Sequence, residues 1–291
     1  MRHPFTGAGV ALITPFNEDK SVDYSALERL VEDQISGGID YLVVLGTTGE
    51  TPALSDAEKK TIVRFVVKQN AGRLKIMLGL GGNNTMALVE TIKNTDFNGI
   101  DAILSVTPYY NKPTQEGLFQ HFKAVVDASP VPVVLYNVPG RTGVNMEVDT
   151  TLRIAHLSGK VIGIKEACGD LSQFTKIAIG APDYFKVISG DDGLTLPAIA
   201  TGSIGVISVL ANAMPEKLAQ LTHAALNGNM PLATELHIQL SEMIKLIFKD
   251  GSPSGVKALM EIQGKAKHQV RLPLVQVSNA TYRLIEAEWK K

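Results

Sequence analysis

The sequence predicts an α/β fold, and three observations indicate which one. Eight short apolar segments, rich in β-branched residues, recur along about the first three-quarters of the 291-residue chain. Amphipathic segments with helix-capping residues separate them. After Asn212 the apolar segments stop, and further helical segments follow. Eight strand–helix units in about 225 residues are typical of a (β/α)8 TIM barrel, here with a C-terminal helical appendage.

The predicted strands are continuous apolar runs, as a parallel sheet buried on both faces requires. They span Val10–Thr14, Tyr41–Leu45, Lys75–Leu80, Ala102–Thr107, Val131–Asn137, Val161–Glu166, Phe185–Ser189 and Gly205–Val209. The competing doubly wound sheet usually has fewer strands and a glycine-rich phosphate turn near its start.

Helix signals lie between the strands. Ser55–Glu58 has the residue types of a capping box, and an apolar stripe follows it. Another helix is predicted between Ser21 and Gly37, where apolar residues recur at helical spacing. Gly38–Asp40 and Gly99–Asp101 both lead directly into strands, which suggests that one helix-to-strand turn is used twice.

The C-terminal part is predicted to be helical at Pro215–Leu226, Ala233–Phe248, Pro253–Ile262 and Asn279–Trp289. The first of these helices completes the barrel, and Gly228-Asn229 is the predicted boundary. We therefore expect residues 1–228 to form the catalytic barrel domain and residues 229–291 to form a helical region packed on it.

Charge and cysteine content exclude several classes of protein. Lys and Arg number 28 and Asp and Glu 29, so no basic surface for nucleic acid or acidic membranes is indicated. The single cysteine, Cys168, excludes an internal disulfide framework and a multi-cysteine metal site. No signal-peptide pattern opens the chain, and no apolar run approaches the ~18 residues of a membrane helix. We expect a cytoplasmic protein.

Polar residues at the carboxyl ends of barrel strands are the candidates for chemistry. In Val161–Glu166, alternation places Val161, Gly163 and Lys165 on one face. If the isoleucines between them face the helices, Lys165 points into the barrel, where a desolvated amine becomes a nucleophile for carbonyl carbon. The alternative is a structural lysine just past the strand, paired with a carboxylate such as Glu166.

Gly46–Glu50 follows the second predicted strand directly. Its glycines would let backbone N–H groups approach a small anion, and the hydroxyls of Thr47 and Thr48 add donors. An ordinary strand-to-helix turn has a similar sequence.

Tyr136–Gly143 follows the fifth strand, where Tyr136 could move a proton and Arg141 could bind a carboxylate in bidentate fashion. A core tyrosine and a solvated arginine are the structural alternative. In Thr107–Pro113, Tyr109 and Tyr110 cannot both face one core, so one of them is expected to reach a site or a partner subunit.

Other site signals are incomplete. Gly79–Asn84 lacks the last glycine of a dinucleotide-binding fingerprint. The six histidines are scattered, with none at metal-ligand spacing, and no phosphate loop or Gly-x-Ser-x-Gly pattern is present. We expect neither a metal nor an organic cofactor.

In combination, the motifs resemble the dihydrodipicolinate synthase / N-acetylneuraminate lyase family of class I aldolases. The likeness extends from Gly9–Phe16 to the C-terminal helices. The motifs that carry it are Gly46–Glu50, Val106–Pro113, Tyr136–Gly143, Gly163–Ala167 and Gly205–Ser208. The resemblance implies a barrel enzyme that condenses pyruvate with L-aspartate-4-semialdehyde, the first committed step toward diaminopimelate and lysine. It also implies a homotetramer, built as a dimer of tight dimers.

The resemblance also assigns roles to individual residues. Lys165 matches the Schiff-base lysine. The proton-relay residues match Thr47, Tyr136 and Tyr110, the last crossing from a neighbouring subunit. Arg141 matches the residue that receives the semialdehyde carboxylate. Pyruvate-binding positions match Thr48, Gly190 and Ile207, the last through its backbone carbonyl.

Two alternative functions stay open from the sequence. Sialic-acid lyases of this family usually have Ser-Thr where this chain has Thr47-Thr48, and they lack an arginine after the Tyr136 equivalent. Arg141 therefore favours a small acidic aldehyde over a sugar-derived one, although specificity can depend on one or two contacts. The second alternative, a catalytically silent barrel that binds keto acids, would have no need of a strand-end lysine beside a proton relay.

Overall fold

The eight strands form a closed parallel barrel in the order β1-β2-β3-β4-β5-β6-β7-β8, which confirms the predicted fold class. The structure is a computed structural model and describes residues 3–291. Met1 and Arg2, which the predicted barrel domain includes, lie outside the described residues.

All eight predicted strands are present, most with bounds within one or two residues of the prediction. In chain order, β1 to β8 are Gly7–Ala11, Tyr41–Val44, Lys75–Gly79, Ala102–Val106, Val133–Asn137, Val161–Glu166, Lys186–Ser189 and Gly205–Ser208.

The helices alternate with the strands as far as β8 and then follow one another. In chain order, α1 to α12 are Tyr24–Ser36, Asp56–Asn70, Thr85–Lys93, Gln115–Ala128, Pro139–Thr142, Val148–Ala155, Leu171–Gly180, Thr195–Ala200, Pro215–Leu226, Met230–Phe248, Ser254–Ile262 and Asn279–Trp289. The predicted capping box is confirmed at α2, where Ser55 and Glu58 bond each other's backbone N–H. Helix α10 begins three residues earlier than predicted, because Asn229 caps it and a proline is tolerated in a first turn.

Strand β1 begins three residues earlier than predicted. Gly7 and Gly9 conceal it, since glycine weakens a strand pattern. Both are needed for close packing. A Cβ on Gly7, whose φ is +112°, would lie 2.0 Å from the Asp40 carboxylate, and one on Gly9 would lie 2.2 Å from the Tyr41 ring. The glycines therefore allow β1 to lie against the residues that open β2.

Strand β6 departs from the predicted alternation at its start. The register with β5 shifts there: Val133 pairs with Val161, but Val134 pairs with Gly163. The extra residue is a bulge, which reverses the face of the residues before it. Val161 consequently packs in the same core cluster as Ile164. The prediction that Val161 shares a face with Lys165 was wrong.

The repeated helix-to-strand turn is confirmed. Gly38 and Gly99 have φ values of 78° and 77°, in the left-handed region that glycine tolerates. In the first copy the Asp40 carboxylate accepts from Ala8 N–H at 2.8 Å. In the second the Asp101 carboxylate accepts from Ile76 N–H at the same distance. Each turn thus fastens the start of the strand that precedes its helix.

The described chain divides into two compact units. One contains Lys75–Ile207 together with the N-terminal residues up to Thr6. Its core packs apolar residues of β4 to β7 against helices α3, α4, α6 and α7. The other contains Gly7–Leu74 and Ser208–Lys291, and therefore β1, β2 and the C-terminal helices. None of the helices between residues 3 and 291 has the length and apolar character of a membrane crossing.

Candidate active site

Lys165 lies near the carboxyl end of β6 and is 5% exposed. Its neighbour Ile164 packs against side chains of the surrounding helices, which include Phe122 of α4 and Phe174 of α7. Because successive residues of a strand point to opposite faces, Lys165 points into the barrel. The predicted orientation of the lysine is confirmed.

Tyr136 lies beside Lys165 on the same face. The two residues are Cα partners across β5 and β6, and Lys165 Nζ lies 4.4 Å from the centroid of the Tyr136 ring. Tyr136 is 6% exposed. An amine and a phenol, both shielded from water and in contact, can supply a nucleophile and a proton carrier to one small substrate.

Glu166 does not pair with Lys165, so the ion pair suggested by the structural alternative is not formed. The Glu166 carboxylate is buried on the other face of β6 and accepts from Asn137 Nδ2 at 3.0 and 3.1 Å. It also accepts from Gln173 Nε2 and from the Cys168 N–H, each at 2.9 Å. Burial raises the pKa of Glu166, although these hydrogen bonds oppose the shift.

The polar cluster around Glu166 was missed by the sequence analysis. Asn137 and Glu166 are Cα partners, one residue beyond Tyr136 and Lys165. Asn145, which precedes α6, accepts from Asn137 Nδ2 at 2.7 Å and donates to Gln173 Oε1 at 3.0 Å. The cluster joins the ends of β5 and β6 to the segment after β5. Its sequence signal is a polar residue ending each of two adjacent apolar strands.

Gly190 follows β7 and lies against the side chain of Lys165. Its N–H donates to Glu166 O at 2.7 Å. A Cβ at this position would lie 3.0 Å from Lys165 Cε and 2.8 Å from Ala167 Cβ, too close for any side chain without a shift. Only glycine leaves the lysine stem in its observed place.

Arg141 is exposed on the short helix α5, four residues beyond the end of β5. Gly143, with a φ of 74°, ends this helix. A Cβ on Gly143 would meet Lys112 Cε at 3.0 Å, so the segments after β4 and β5 lie side by side. Arg141 is therefore accessible to an anion from solution.

Tyr110 is 87% exposed, whereas Tyr109 is partly covered. Tyr110 has a φ of 77°, which is uncommon for a residue with a side chain. Both tyrosines are exposed, and the expectation that one of them reaches a site or a partner subunit stays a prediction. An exposed aromatic ring held by a strained backbone is typical of a contact surface.

Thr47 and Thr48 belong to the other compact unit, in a short 3-10 helix, Thr47–Gly49, that follows β2. Thr48 is buried and Thr47 is exposed. Gly49 O accepts from the Thr14 hydroxyl at 2.7 Å, and the Thr51 hydroxyl bonds the carbonyls of Leu45 and Gly46. This turn is thus fixed by hydrogen bonds.

The structure places Tyr136 and Gly190 each beside the side chain of Lys165. Ile207 is fully buried in β8. Arg141 and Tyr110 stand on exposed segments after β5 and β4. Among residues 3–291, no group of three or more His, Cys, Asp or Glu side chains is arranged to hold a metal ion.

The family is decided by a comparison of the whole chain. The sequence model of the family described as "Dihydrodipicolinate synthetase family" matches residues 4–291. The chain belongs to this family.

Curated relatives in the family are similar over nearly the full chain. A 4-hydroxy-tetrahydrodipicolinate synthase of Parabacteroides distasonis is 52% identical over 96% of this chain and 94% of its own length. One of Phocaeicola vulgatus is 50% identical over 97% of this chain and 95% of its own. These names confirm the predicted enzyme class, a lyase.

Solved structures of the family share the fold. Dihydrodipicolinate synthase from Aquifex aeolicus superimposes with a TM-score of 0.95 at 40% identity, covering 98% of this chain and 97% of that one. The enzyme from Thermotoga maritima gives a TM-score of 0.96 at 38% identity, covering 99% and 98%. A likeness of this extent includes the C-terminal helices as well as the barrel.

Proposed function

We propose that this enzyme condenses pyruvate with L-aspartate-4-semialdehyde through a Schiff base on Lys165, giving 4-hydroxy-tetrahydrodipicolinate. The observation that carries the proposal is the buried amine of Lys165 in contact with the Tyr136 ring, inside a barrel of the dihydrodipicolinate synthetase family. The reaction is the first committed step toward diaminopimelate and lysine. Both substrates are small molecules.

The lysine acts as nucleophile and then as leaving group. The neutral amine attacks the ketone carbon of pyruvate, and loss of water leaves an imine. Protonated, the imine withdraws electrons, so a methyl proton can leave and an enamine forms. The enamine carbon attacks the aldehyde carbon of the semialdehyde, whose oxygen becomes the product hydroxyl. The amino group of the semialdehyde then attacks the imine carbon and expels Lys165.

Each of these steps moves a proton, which is the role we assign to Tyr136. Its contact with Lys165 supports the assignment, because a proton carrier must lie within reach of the reacting atoms. Thr47 and Tyr110 are proposed to continue the relay, Tyr110 from a neighbouring subunit. The exposure of Tyr110 is consistent with that position.

Four residues are proposed to bind the substrates. Arg141 receives the semialdehyde carboxylate, since an exposed guanidinium can bind a carboxylate through two parallel hydrogen bonds. Thr48, Gly190 and the Ile207 carbonyl line the pyruvate pocket. The close approach of Gly190 to the Lys165 stem supports a place for it there. The iminium supplies the electron sink, so the chemistry requires neither a metal nor an organic cofactor.

We also propose a domain division and an oligomeric state, from the sequence pattern and the family resemblance. We assign residues 1–228 to the catalytic barrel and residues 229–291 to a helical region. The functional unit is a cytoplasmic homotetramer, a dimer of tight dimers in which Tyr110 completes the partner's site. Sedimentation at four times the chain mass is expected, and sedimentation as a single chain would contradict the tetramer.

A substrate comparison tests the proposed function. Pyruvate is supplied with either L-aspartate-4-semialdehyde or N-acetylmannosamine, and consumption of pyruvate is followed. Pyruvate is expected to be consumed with the semialdehyde and not with the amino sugar. Turnover with the amino sugar alone would assign the chain to a lyase-like aldolase, and pyruvate binding without turnover of either acceptor would favour a silent keto-acid-binding barrel.

A further inference from the structure

A buried ion pair joins the Gly46–Glu50 turn to helix α11. Lys257 Nζ lies 2.5 Å from Glu50 Oε1, and both side chains are at most 1% exposed. Neither the sequence motifs nor the proposed reaction uses this pair. Charges are costly to bury, so a pair at this depth calls for an explanation.

Glu50 is fully engaged by the C-terminal part of the chain. Its second oxygen, Oε2, accepts from Arg271 N–H at 2.9 Å. Lys257 in turn donates to Gln269 O at 2.9 Å. Glu50 itself has a φ of 53°, a left-handed conformation that costs energy for a residue with a side chain. Residues of the C-terminal part thus fix the Glu50 carboxylate, and the backbone of Glu50 is held in an unfavourable conformation.

Arg271 extends the same attachment along the chain. Its guanidinium donates to the Glu58 carboxylate at 2.6 and 2.9 Å and to Ala53 O at 2.9 Å. The Phe16 ring lies under both cations, 4.2 Å from Lys257 Nζ and 4.5 Å from Arg271 Cζ. Lys257 and Arg271 therefore hold this stretch at Glu50, Ala53 and Glu58.

We propose that Lys257 and Glu50 are positioning residues for the pyruvate pocket, because their ion pair fixes the turn that carries Thr47 and Thr48. Glu50 lies two residues beyond Thr48, so release of its carboxylate frees the end of the 3-10 helix. This inference rests on the proposed function, in which Thr48 binds pyruvate and Arg141 binds the semialdehyde.

A purely stabilising role is the competing explanation, and chemistry distinguishes the two. Removing one partner of a buried ion pair leaves an uncompensated buried charge, whereas replacing both partners by uncharged side chains of similar size leaves none. If the pair only stabilises the fold, the double variant should recover from the defect of the single variant. If the pair positions the turn, the defect should remain in both variants. In the double variant the turn has lost its ion pair to α11, although no unpaired charge is left.

The test uses the full-length enzyme with three variants: Lys257→Met, Glu50→Gln/Lys257→Met and, as a control, Lys265→Met. Lys265 lies just after the end of α11, and its ion pair is with Asp33 of α1 and not with the turn. Pyruvate KM is expected to rise about tenfold in the first two variants, equivalent to about 1.4 kcal/mol, with semialdehyde KM changed less than about twofold. The control is expected to match the wild type. Lys257→Arg should restore the pyruvate KM in part.

Hydrogen exchange supplies a readout independent of activity. The N–H groups of Gly49 and Glu50 close the 3-10 turn. They are expected to exchange faster than in the wild type in both variants that carry Lys257→Met, and at the wild-type rate in the control. Recovery of wild-type pyruvate KM and exchange in the double variant would overturn the proposal and leave a purely stabilising pair. If Lys257→Met fails to fold, the double variant decides alone. Wild-type enzyme that forms no pyruvate adduct would instead refute the proposed function, and the exchange data would still test the anchor.

Discussion

Lys165 and Tyr136 are Cα partners on adjacent strands, and the lysine nitrogen lies 4.4 Å from the centroid of the tyrosine ring. Parallel register places both side chains on the inner face of the barrel, at the strand ends where barrel enzymes have their active sites. Glu166 and Asn137 are the next pair in register, and they bond each other on the outer face of the barrel. Lys165 and Tyr136 are therefore supported from behind by a buried hydrogen-bonded network.

Tyr136→Phe keeps the ring against Lys165 but removes the hydroxyl. Because general acid–base groups contribute about 10²- to 10⁴-fold, we expect kcat to fall by at least about a hundredfold with little loss of stability. Steady-state kinetics and thermal unfolding measure the two effects. Tyr184→Phe is the matched control, since its hydroxyl donates to Ala155 O in the same compact unit. A Tyr136→Phe enzyme with wild-type kcat would exclude the hydroxyl from proton transfer.

Gly190→Ala places a methyl group beside Lys165, the proposed Schiff-base lysine. The Cβ would lie 3.0 Å from Lys165 Cε, so the amine must move. Small displacements of reacting groups are costly, and kcat/KM is expected to fall about 10- to 100-fold. Gly159→Ala is the control, because a Cβ added there would have no heavy atom within 4 Å. Equal activity of the two variants would show that Gly190 has no part in placing Lys165.

Arg141→Ala removes the proposed contact to the semialdehyde carboxylate. A hydrogen bond to a charged group contributes about 1.5–3 kcal/mol, so the semialdehyde KM should rise about 10- to 100-fold. Pyruvate KM should hardly change. Arg153→Ala serves as the control, since Arg153 is an exposed arginine that pairs with Glu116 on a helix. An unchanged semialdehyde KM in Arg141→Ala would refute the assignment.

Acid is expected to weaken the contact between Arg271 and Glu58. Hydrogen bonds from Arg271 lower the pKa of Glu58 from 4.5 to about 2. A depressed pKa means that the contact stabilises the fold fully above pH 4.5 and is lost as the pH falls toward 2. Glu58→Gln should therefore be less stable than the wild type by about 1 kcal/mol at neutral pH.

The difference between Glu58→Gln and the wild type should shrink in acid. Urea unfolding at about pH 7 and about pH 3 gives the free energies for both proteins. A difference that stays constant between the two pH values would show that the Glu58 carboxylate is not held by Arg271 in the folded state.

Much of the fold could be predicted because the core of a parallel barrel has a simple signature. Each strand is an apolar run, and eight such runs are visible along the chain. What sequence patterns could not give were local exceptions with a steric cause. Gly7 and Gly9 conceal the start of β1 because they make room for Asp40 and Tyr41. The bulge in β6 turns the Val161 side chain to the opposite face of the sheet from the one predicted. A hydrophobic pattern gives no sign of such an inserted residue.

The candidate site was predictable where a polar residue ends an apolar strand. Lys165 and Tyr136 carry that signal, and the structure places them together. The Glu166 cluster carries it too, but a carboxylate next to a lysine suggests an ion pair, which the opposite faces of the strand prevent. The Glu50–Lys257 pair joins residues 207 positions apart, and no local pattern reports such a contact.

The most direct test of the account is reduction of the enzyme with borohydride in the presence of pyruvate, followed by peptide mapping. The amine of Lys165 should be trapped as a stable secondary amine that carries the reduced pyruvyl group. The account predicts one modified lysine, in the peptide that contains residues 161–166, and none when pyruvate is omitted. A folded enzyme that gives no adduct, or an adduct on another lysine, would contradict the central claim.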